Sequence, residues 1–321
     1  MISGSYLKDI YLDKSYTEEQ GDSLDFTTNK WFSYTSTTET IRTWPKVISS
    51  LSDIPSYFKD FFYIESNTFP YTILIPEDIV FVRSRAKRTN TKLLSLYKEK
   101  IIVLEKSKRG IIEQYHNFYG INYFKIESIL LYSGIKISSN NAVSHIHFNS
   151  IRDDFFKLIK EKIRKYYLKT NDKKIIKLNF EEKLSEYYTK GKINYKFMNY
   201  GIESLLPGQK IKKFIYQEPL KINKFKNGFF NWLKNYTTPM LLLLNGEELI
   251  IIEEPVKMKK DKDIEYGVVF TYIPFEKIEK ITFNKRDYIE MNIELLNKEV
   301  INLYFSNDKD KDIEDFKNIY N

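Results

Sequence analysis

The stretch "YFKIESILL" at residues 123–131 alternates bulky apolar side chains around a glutamate and ends in three aliphatic residues. A similar stretch, "YIPFEKIEKI", occurs at residues 272–281. Alternation with a period of two is typical of a strand that buries one face. The recurrence predicts that the chain builds the same β-rich unit twice.

Two further pairs of stretches recur in the same order. "TKLLSLYKEKIIVLEK" (91–106) matches "TPMLLLLNGEELIIIEE" (238–254), and in both a polar turn separates two apolar runs. This pattern predicts a β-hairpin, and the Asn-Gly pair of the second copy suits a tight turn with positive φ. "VSHIHFN" (143–149) matches "VINLYFS" (300–306), and a helix is predicted after each.

The two predicted helices each carry one apolar stripe. In 151–168, apolar residues recur at steps of three and four: Ile151, Phe155, Leu158, Ile159, Ile163 and Tyr166. The corresponding residues near the C-terminus are Ile313, Phe316 and Ile319. Such a stripe is stable only when it is buried. We therefore expect each helix to pack on the preceding strands and to close one end of a small barrel or sandwich.

This order of strands followed by a helix resembles the bacterial pleckstrin-homology-like (PH-like) domains. The phrases that carry the resemblance are "FPYTILIP" (69–76), "KRTNTKLLSLYKEKIIVLEK" (87–106), "LLPGQKI" (205–211) and "YGVVFTYIPFEKI" (266–278). They are similar to uncharacterised bacterial proteins that carry two such domains. The resemblance implies a mainly β fold with α-helices (α+β), in which two PH-like seven-stranded barrels or sandwiches are each capped by a C-terminal helix.

The sequence predicts four segments. Residues 1–66 form an N-terminal arm and helical extension, because apolar residues between 42 and 63 recur at helical spacing. Residues 67–168 form the first PH-like domain, 169–204 a helical connector, and 205–321 the second PH-like domain. We expect the extension to pack against the first domain, since a stripe with adjacent aromatic residues is costly to leave in water.

Composition limits the classes of protein. The 321 residues include no cysteine, which excludes a disulfide framework and a thiolate metal site. The N-terminus has neither a basic region nor an apolar core of the kind found in signal peptides. We therefore expect a cytoplasmic protein, with a peripheral position at the inner face of the membrane as the alternative.

Basic residues are concentrated in a few segments. Between Arg83 and Arg109 there are ten lysines and arginines against two glutamates. The resemblance implies that phosphate groups of a lipid contact the loop after the first strand, which holds Arg83, Arg85, Lys87, Arg88 and Lys92. The alternative is that this loop is simply a solvated basic surface.

A second candidate surface lies in residues 221–235. Its basic residues are Lys224 and Lys226, and its aromatic residues are Phe229, Phe230 and Trp232. Aromatic side chains among lysines favour contact with an anionic membrane surface or a partner groove. The alternative is that the aromatic side chains are buried under the rim of the second barrel.

No stretch indicates a reaction. The sequence has no nucleotide-binding glycine loop, Walker lysine, nucleophile elbow or zinc-protease helix. His145 and His147 share a strand face, but no neighbouring acidic cluster completes a metal site. The basic stretch 152–177 shows no nucleic-acid recognition motif. We predict no catalytic residue, no cofactor and no metal.

The expected function is therefore binding. The sequence favours a non-enzymatic adaptor or scaffold protein that uses its two PH-like domains to bind an unknown protein partner. Peripheral binding to an anionic membrane or phospholipid headgroup through the basic loops is the alternative, and an unrecognised enzyme is the third hypothesis. Sheet edges and the groove beside each capping helix are the expected docking surfaces.

Overall fold

The structure is a computed structural model. It describes residues 42–65, 67–82, 85–129, 132–152, 154–168, 186, 188–189, 191–207, 209, 211–222, 235–255 and 267–320. This part of the chain is mainly β-structure with few helices, which confirms the predicted α+β class. Its sheets do not close into a barrel within the described residues. None of the described helices is long and apolar enough to span a bilayer.

The described residues of the first half include ten strands and two α-helices. In chain order they are β1 (Lys46–Ile48), α1 (Ser56–Lys59), β2 (Tyr71–Ile75), β3 (Ile79–Val82), β4 (Arg85–Arg88), β5 (Lys92–Leu96), β6 (Lys100–Ser107), β7 (Gly110–Asn117), β8 (Ile121–Ile129), β9 (Tyr132–Ser139), β10 (Val143–Asn149) and α2 (Asp154–Tyr167). An antiparallel sheet has the order β1-β2-β5-β6-β7, and β3 pairs with β4 as a separate hairpin.

The second half repeats this order of strands followed by a helix. Its elements are α3 (Tyr195–Ser204), β11 (Lys213–Gln217), β12 (Lys221–Ile222), β13 (Asn235–Tyr236), β14 (Met240–Leu244), β15 (Glu248–Glu253), β16 (Gly267–Pro274), β17 (Ile278–Lys285), β18 (Ile289–Leu295), β19 (Val300–Phe305) and α4 (Asp310–Tyr320). A three-stranded sheet has the order β17-β18-β19, and β12 pairs with β13.

One seven-stranded sheet joins the two halves. Its order is β10-β9-β8-β16-β15-β14-β11, so three strands of the first half continue into four strands of the second. The joint is the antiparallel pairing of β8 with β16, from Phe124 opposite Tyr272 to Ile129 opposite Gly267. The sequence predicted two separate β-rich shells, whereas the two halves share this sheet.

The shared sheet is buried on both faces in its second half. In β14, Leu241 and Leu243 join a core with the first-half strands and α2, whereas Leu242 and Leu244 join a core with the three-stranded sheet and α4. Successive side chains of a strand point to opposite faces, so neighbouring leucines enter different cores. This double burial explains why β14 and β15 are apolar at nearly every position.

The helices close the cores with only part of their predicted stripes. In α2, Ile159 and Ile163 are buried as predicted, but Leu158 is 48 % exposed, and Phe156 and Tyr167 are buried in its place. A 3₁₀ turn at residues 150–152 precedes the helix, so α2 begins only at Asp154. In α4, Ile313 and Phe316 are buried as predicted, whereas Ile319 is 39 % exposed.

Over its described residues 42–65, the N-terminal extension is less helical than its spacing predicted. Its described part forms one short strand, a 3₁₀ turn and the four-residue helix α1. Strand β1 pairs with β2 at the sheet edge, where backbone hydrogen bonds replace those of a helix. Ile48, Ile54 and Phe58 nevertheless pack on the outer face of the five-stranded sheet. The expected burial against the first half is confirmed.

A buried ionic network links α2 to the second half of the chain. Arg164 of α2 and Glu248 of β15 both have fully buried side chains and form a two-pronged ion pair. Arg164 also donates to the carbonyl oxygen of Ser204 at 2.7 Å and to Gln209 Oε1 at 3.0 Å. Tyr167 donates its hydroxyl to Glu248 Oε2 at 2.7 Å. The network connects α2, α3 and β15, and so fixes the two halves relative to each other.

Burial and the ion pair act oppositely on Arg164. Burial alone lowers the pKa of its guanidinium, but the Glu248 carboxylate beside it outweighs that effect and the pKa is raised. The ring of Tyr272 lies 4.1 Å from the guanidinium carbon and covers one face of it. Arg164 therefore stays charged in the core.

Candidate functional site

The first predicted basic loop is the β3–β4 hairpin. Arg83 lies outside the described residues, and Arg85 and Lys87 belong to strand β4. Arg88 ends that strand, and its Nη2 donates to Glu77 Oε1 at 3.0 Å. This pairing neutralises one of the charges that the phosphate hypothesis relies on.

Lys92 is placed away from a ligand surface. It begins β5 and is only 7 % exposed. Its ammonium group pairs with the carboxylate of Glu105, which also accepts a hydrogen bond from Asn90 Nδ2 at 2.7 Å. Lys92 is therefore part of the first-half sheet. A phosphate group bound in this region would have to contact residues of the β3–β4 hairpin instead.

The second predicted surface lies outside the described residues. This applies to all five of its members, Lys224, Lys226, Phe229, Phe230 and Trp232. The backbone on either side forms β12 and β13, which pair with each other. This insertion follows the first sheet strand of the second half, just as the β3–β4 hairpin follows β2 in the first half.

Among the described residues, the two histidines of β10 have no cluster of carboxylates beside them. His145 and His147 lie opposite Lys136 and Gly134 of β9. Within the described part of the chain, no group of three or more histidine, aspartate and glutamate side chains is arranged to hold a metal ion.

A groove of about 690 Å³ runs between strand β11 and the beginning of α4. The residues that line it are Glu186, Gly191, Lys192, Ile211, Lys212, Lys213, Phe214, Tyr216, Gln217, Glu218, Ser306, Asp308, Lys309 and Asp312. Its volume lies within the range of about 300–1,000 Å³ that is usual for binding pockets. The groove corresponds to the docking surface expected beside the second capping helix.

Two contacts hold the helix beside the strand. At one end of β11, Gln217 Oε1 accepts a hydrogen bond from the backbone nitrogen of Ser306 at 2.8 Å. At the other end, Lys213 Nζ donates to Asp312 at 2.9 Å and to Asp315 at 2.8 Å. The groove is therefore framed by fixed side chains.

The groove carries balanced charge. Four lysines and four carboxylates line it. Burial lowers the pKa of Lys213, but its hydrogen bonds to Asp315 and Asp312 outweigh this, so the pKa is raised. The same hydrogen bond lowers the pKa of Asp315. Lys213 stays protonated at neutral pH and is a poor candidate for a general base.

Strand β11 is the last strand of the seven-stranded sheet within the described residues. Tyr216 lines the groove, and its hydroxyl accepts a hydrogen bond from Asn194 Nδ2 at 2.7 Å. An edge strand has backbone N–H and C=O groups along one side that can pair with an added strand. The groove thus combines a backbone template with side chains of both charges.

A smaller cavity of about 230 Å³ lies at a corner of the first half and is lined by Tyr115, Asn117, Tyr119, Gly120, Ser139, Asn140 and Asn141. His116 is fully buried beside it. Its Nδ1 lies 2.9 Å from Ser139 Oγ and its Nε2 lies 2.6 Å from Ser144 Oγ. Burial lowers the pKa of His116 to about 4, so the ring is neutral at pH 7.

Neither the buried His116 nor the buried Arg164–Glu248 pair was predicted from the sequence. Arg164 was read as part of a basic helix, yet it follows Ile163 directly and lies between the buried residues Ile163 and Tyr167. A charged residue inside an apolar stripe was the available signal. Its partner Glu248, 84 residues away, is recognisable only from the fold.

No known protein family matches the chain, and no curated protein shows a significant similarity to its sequence.

Proposed function

We propose that the protein is a non-enzymatic adaptor or scaffold of two PH-like units that binds an extended segment of a partner protein. Each half has four strands of one sheet, three further strands and then a helix, which is the order expected for a PH-like unit. The single observation that carries the proposal is the groove between β11 and α4, with an edge strand along one wall.

Strand addition suits this groove better than capture of a polyanion. Backbone pairing along β11 supplies affinity, and the neighbouring side chains supply selectivity. Because lysines and carboxylates balance along the walls, a phosphorylated headgroup gains little net attraction there. A peptide with both charges complements such walls. In this proposal the protein acts in the cytoplasm.

The test starts with peptides. Random peptides displayed on phage are selected against the full chain, and enriched peptides are then synthesised. Hydrogen–deuterium exchange with a bound peptide should slow at Lys213–Gln217 and at the start of α4. Failure to enrich any peptide, or protection confined to other strands, would refute the proposal.

Matched variants sharpen the result. Lys212 and Glu218 are exposed and line the groove, so Lys212→Glu combined with Glu218→Lys reverses two of its charges without touching the core. We expect at least a tenfold loss of peptide affinity. The control is Lys157→Glu on the exposed side of α2, which should leave affinity unchanged. Equal effects of both variants would indicate non-specific charge attraction.

Attachment to an anionic membrane is the second candidate function. One observation favours it: the two basic insertions occupy the same place in both halves, after the first sheet strand of each unit. Two equivalent basic segments would act together, and their affinities would reinforce each other. Co-sedimentation with phosphatidylserine vesicles at low salt tests this, and Arg85→Glu with Arg88→Glu should release the protein. Absence of co-sedimentation would remove this candidate.

A further inference from the structure

The two halves are joined through two strands, β8 and β16, that occupy different positions in the repeated unit. In the first half, β8 is the first of the three strands that follow the 3₁₀ turn Phe118–Gly120. In the second half, β16 is the strand that precedes the 3₁₀ turn Phe275–Lys277. Six residue pairs connect β8 and β16 in antiparallel register. The joint therefore pairs two different edges of the repeated unit.

Each of these strands has an equivalent in the other half. Gly110–Asn117 (β7) precedes its 3₁₀ turn as β16 does, and Ile278–Lys285 (β17) follows its turn as β8 does. Matching backbone hydrogen bonds support the equivalence. The nitrogen of Phe118 donates to Glu99 at 2.9 Å, and that of Phe275 donates to Glu247 at 3.0 Å.

Both equivalents are terminal strands. Strand β7 ends the five-stranded sheet and β17 ends the three-stranded sheet, as far as the described residues extend. Each is eight residues long. Ile112 and Tyr115 of β7 are 46 % and 45 % exposed. Long edge strands with exposed apolar side chains are templates for pairing with another chain.

We propose that the protein self-associates head to tail, with β17 of one copy pairing antiparallel with β7 of a second copy in the manner of the internal joint. The occupant is a second copy because one chain supplies both members of the joint, and because the joint already exists once within the chain. A contact between two different surfaces is heterologous, so it extends into an open chain or closes into a ring.

The internal register fixes which residues meet. Transfer of the β8–β16 pairing places Ile281 opposite Tyr115 and Asn284 opposite Ile112 of the next copy. Ile281 packs against the second-half core and is only partly buried, so an added strand covers more of its apolar surface. In the same register Glu113 lies diagonally across from Lys285, whose ammonium group pairs with Asp310 within its own chain.

Two edge-blocked variants test the proposal in the full chain. Variant A carries Ile112→Lys and Tyr115→Lys on β7, and variant B carries Thr282→Lys and Asn284→Lys on β17. Lysines on an edge strand oppose strand addition. Light scattering across a wide concentration range should show wild type growing in multiples of 38.5 kDa, and each variant alone remaining monomeric.

Mixing the variants separates a heterologous joint from other contacts. Variant A keeps an intact β17 and variant B keeps an intact β7, so the mixture should form a complex of one A and one B that grows no further. A monomeric wild type would overturn the proposal. So would a mixture that stays monomeric, or association that survives in either variant alone.

Engineered cysteines test the register independently of any edge block, because the chain has no native cysteine. Ile112→Cys with Asn284→Cys should give a ladder of disulfide-linked copies on mild oxidation. Ile112→Cys with Arg286→Cys, displaced by two residues, is the matched control and should link poorly. The internal pair Glu127→Cys with Val269→Cys, directly opposite in the joint, should close within one chain. A ladder equally strong in the displaced control would refute the register.

Discussion

Replacement of Arg164 by methionine should destabilise the whole chain more than loss of any surface charge. The change removes two hydrogen bonds to Glu248, one to the Ser204 carbonyl and one to Gln209. It also leaves the Glu248 carboxylate fully buried without its cation. Removing one partner of a buried ion pair lowers the free energy of unfolding by about 3–5 kcal/mol. That is a large fraction of the total stability of about 5–15 kcal/mol that is typical of folded proteins.

Urea unfolding followed by tryptophan fluorescence and circular dichroism measures this loss. With a slope of about 3 kcal/mol per molar urea, the midpoint should fall by about 1–1.7 M. The matched control is Arg152→Met, which removes an exposed ion pair to Asp154 and a contact with the Phe155 ring. Its cost should stay below about 1 kcal/mol. A loss below 1 kcal/mol for Arg164→Met would refute the assigned role.

A double-mutant cycle tests whether the network acts as a unit. Glu248→Leu alone strands the Arg164 charge, whereas Arg164→Met with Glu248→Leu removes both charges together. The double variant still deprives the Tyr167 hydroxyl and the Ser204 carbonyl of partners, at about 1–3 kcal/mol each. We expect the double variant to cost about as much as one single variant, so the coupling energy equals the cost of the other single variant, about 3–5 kcal/mol. Additive single effects would show that the two side chains act independently.

Three further predictions concern single sites. The pKa of His116 is lowered to about 4 in the folded chain, so the unfolded chain binds a proton at this residue at higher pH than the folded chain does. The contribution of His116 to the free energy of unfolding is therefore complete above about pH 6.5 and declines as the pH falls toward 4. Wild type should therefore lose about 2 kcal/mol more than His116→Gln between pH 7 and pH 5 in urea titrations, and equal losses would contradict the buried neutral ring. Lys92→Gln should lower stability by about 1–2 kcal/mol without changing vesicle co-sedimentation. Phe316→Ala should cost about 3–5 kcal/mol in thermal or urea unfolding, whereas Leu158→Ala, on the exposed side of α2, should change stability by less than about 1 kcal/mol.

The sequence predicted strand pairing correctly where a single turn determines it. The hairpin around Asn245 and Gly246 is confirmed as β14 and β15, and Gly246 has the expected positive φ of 94°. Periodicity within these strands does not reveal which partner covers each face. The continuous apolar run from Met240 to Leu244 did signal double burial, but it was interpreted only as half of a hairpin.

The opening similarity between 123–131 and 272–281 was assigned to the wrong strands. Residues 121–129 form β8, whereas residues 272–274 are the end of β16. In the repeat, β16 is equivalent to β7 and not to β8. Phe124 lies directly opposite Tyr272. Strand β16 meets β8 only through residues 267–272, so among the described residues Tyr272 alone of the second stretch pairs with the first. The local match therefore marks neither equivalent strands nor paired strands.

The predicted sites fared differently because charge patterns do not specify burial. Lys92 looks like the end of a basic loop, but the alternation of β5 turns it toward Glu105. The groove beside α4 was expected only in general terms, since its walls come from residues more than 100 positions apart, Lys192 and Asp308 among them. Long-range topology, which a single sequence specifies poorly, decides both outcomes.

Duplication of one structural unit explains why the chain has both a buried joint, β8 with β16, and the unpaired terminal strands β7 and β17 among its described residues. The joint pairs β8 of the first half with β16 of the second, and these two strands occupy different positions in the repeated unit. Two units linked in this way bury β8 and β16, and leave β7 at one end and β17 at the other. A joint between two like edges would instead leave equivalent strands exposed in the two halves. Because the observed joint pairs unlike edges, the same surfaces that fix the halves together also define how a second copy would continue them.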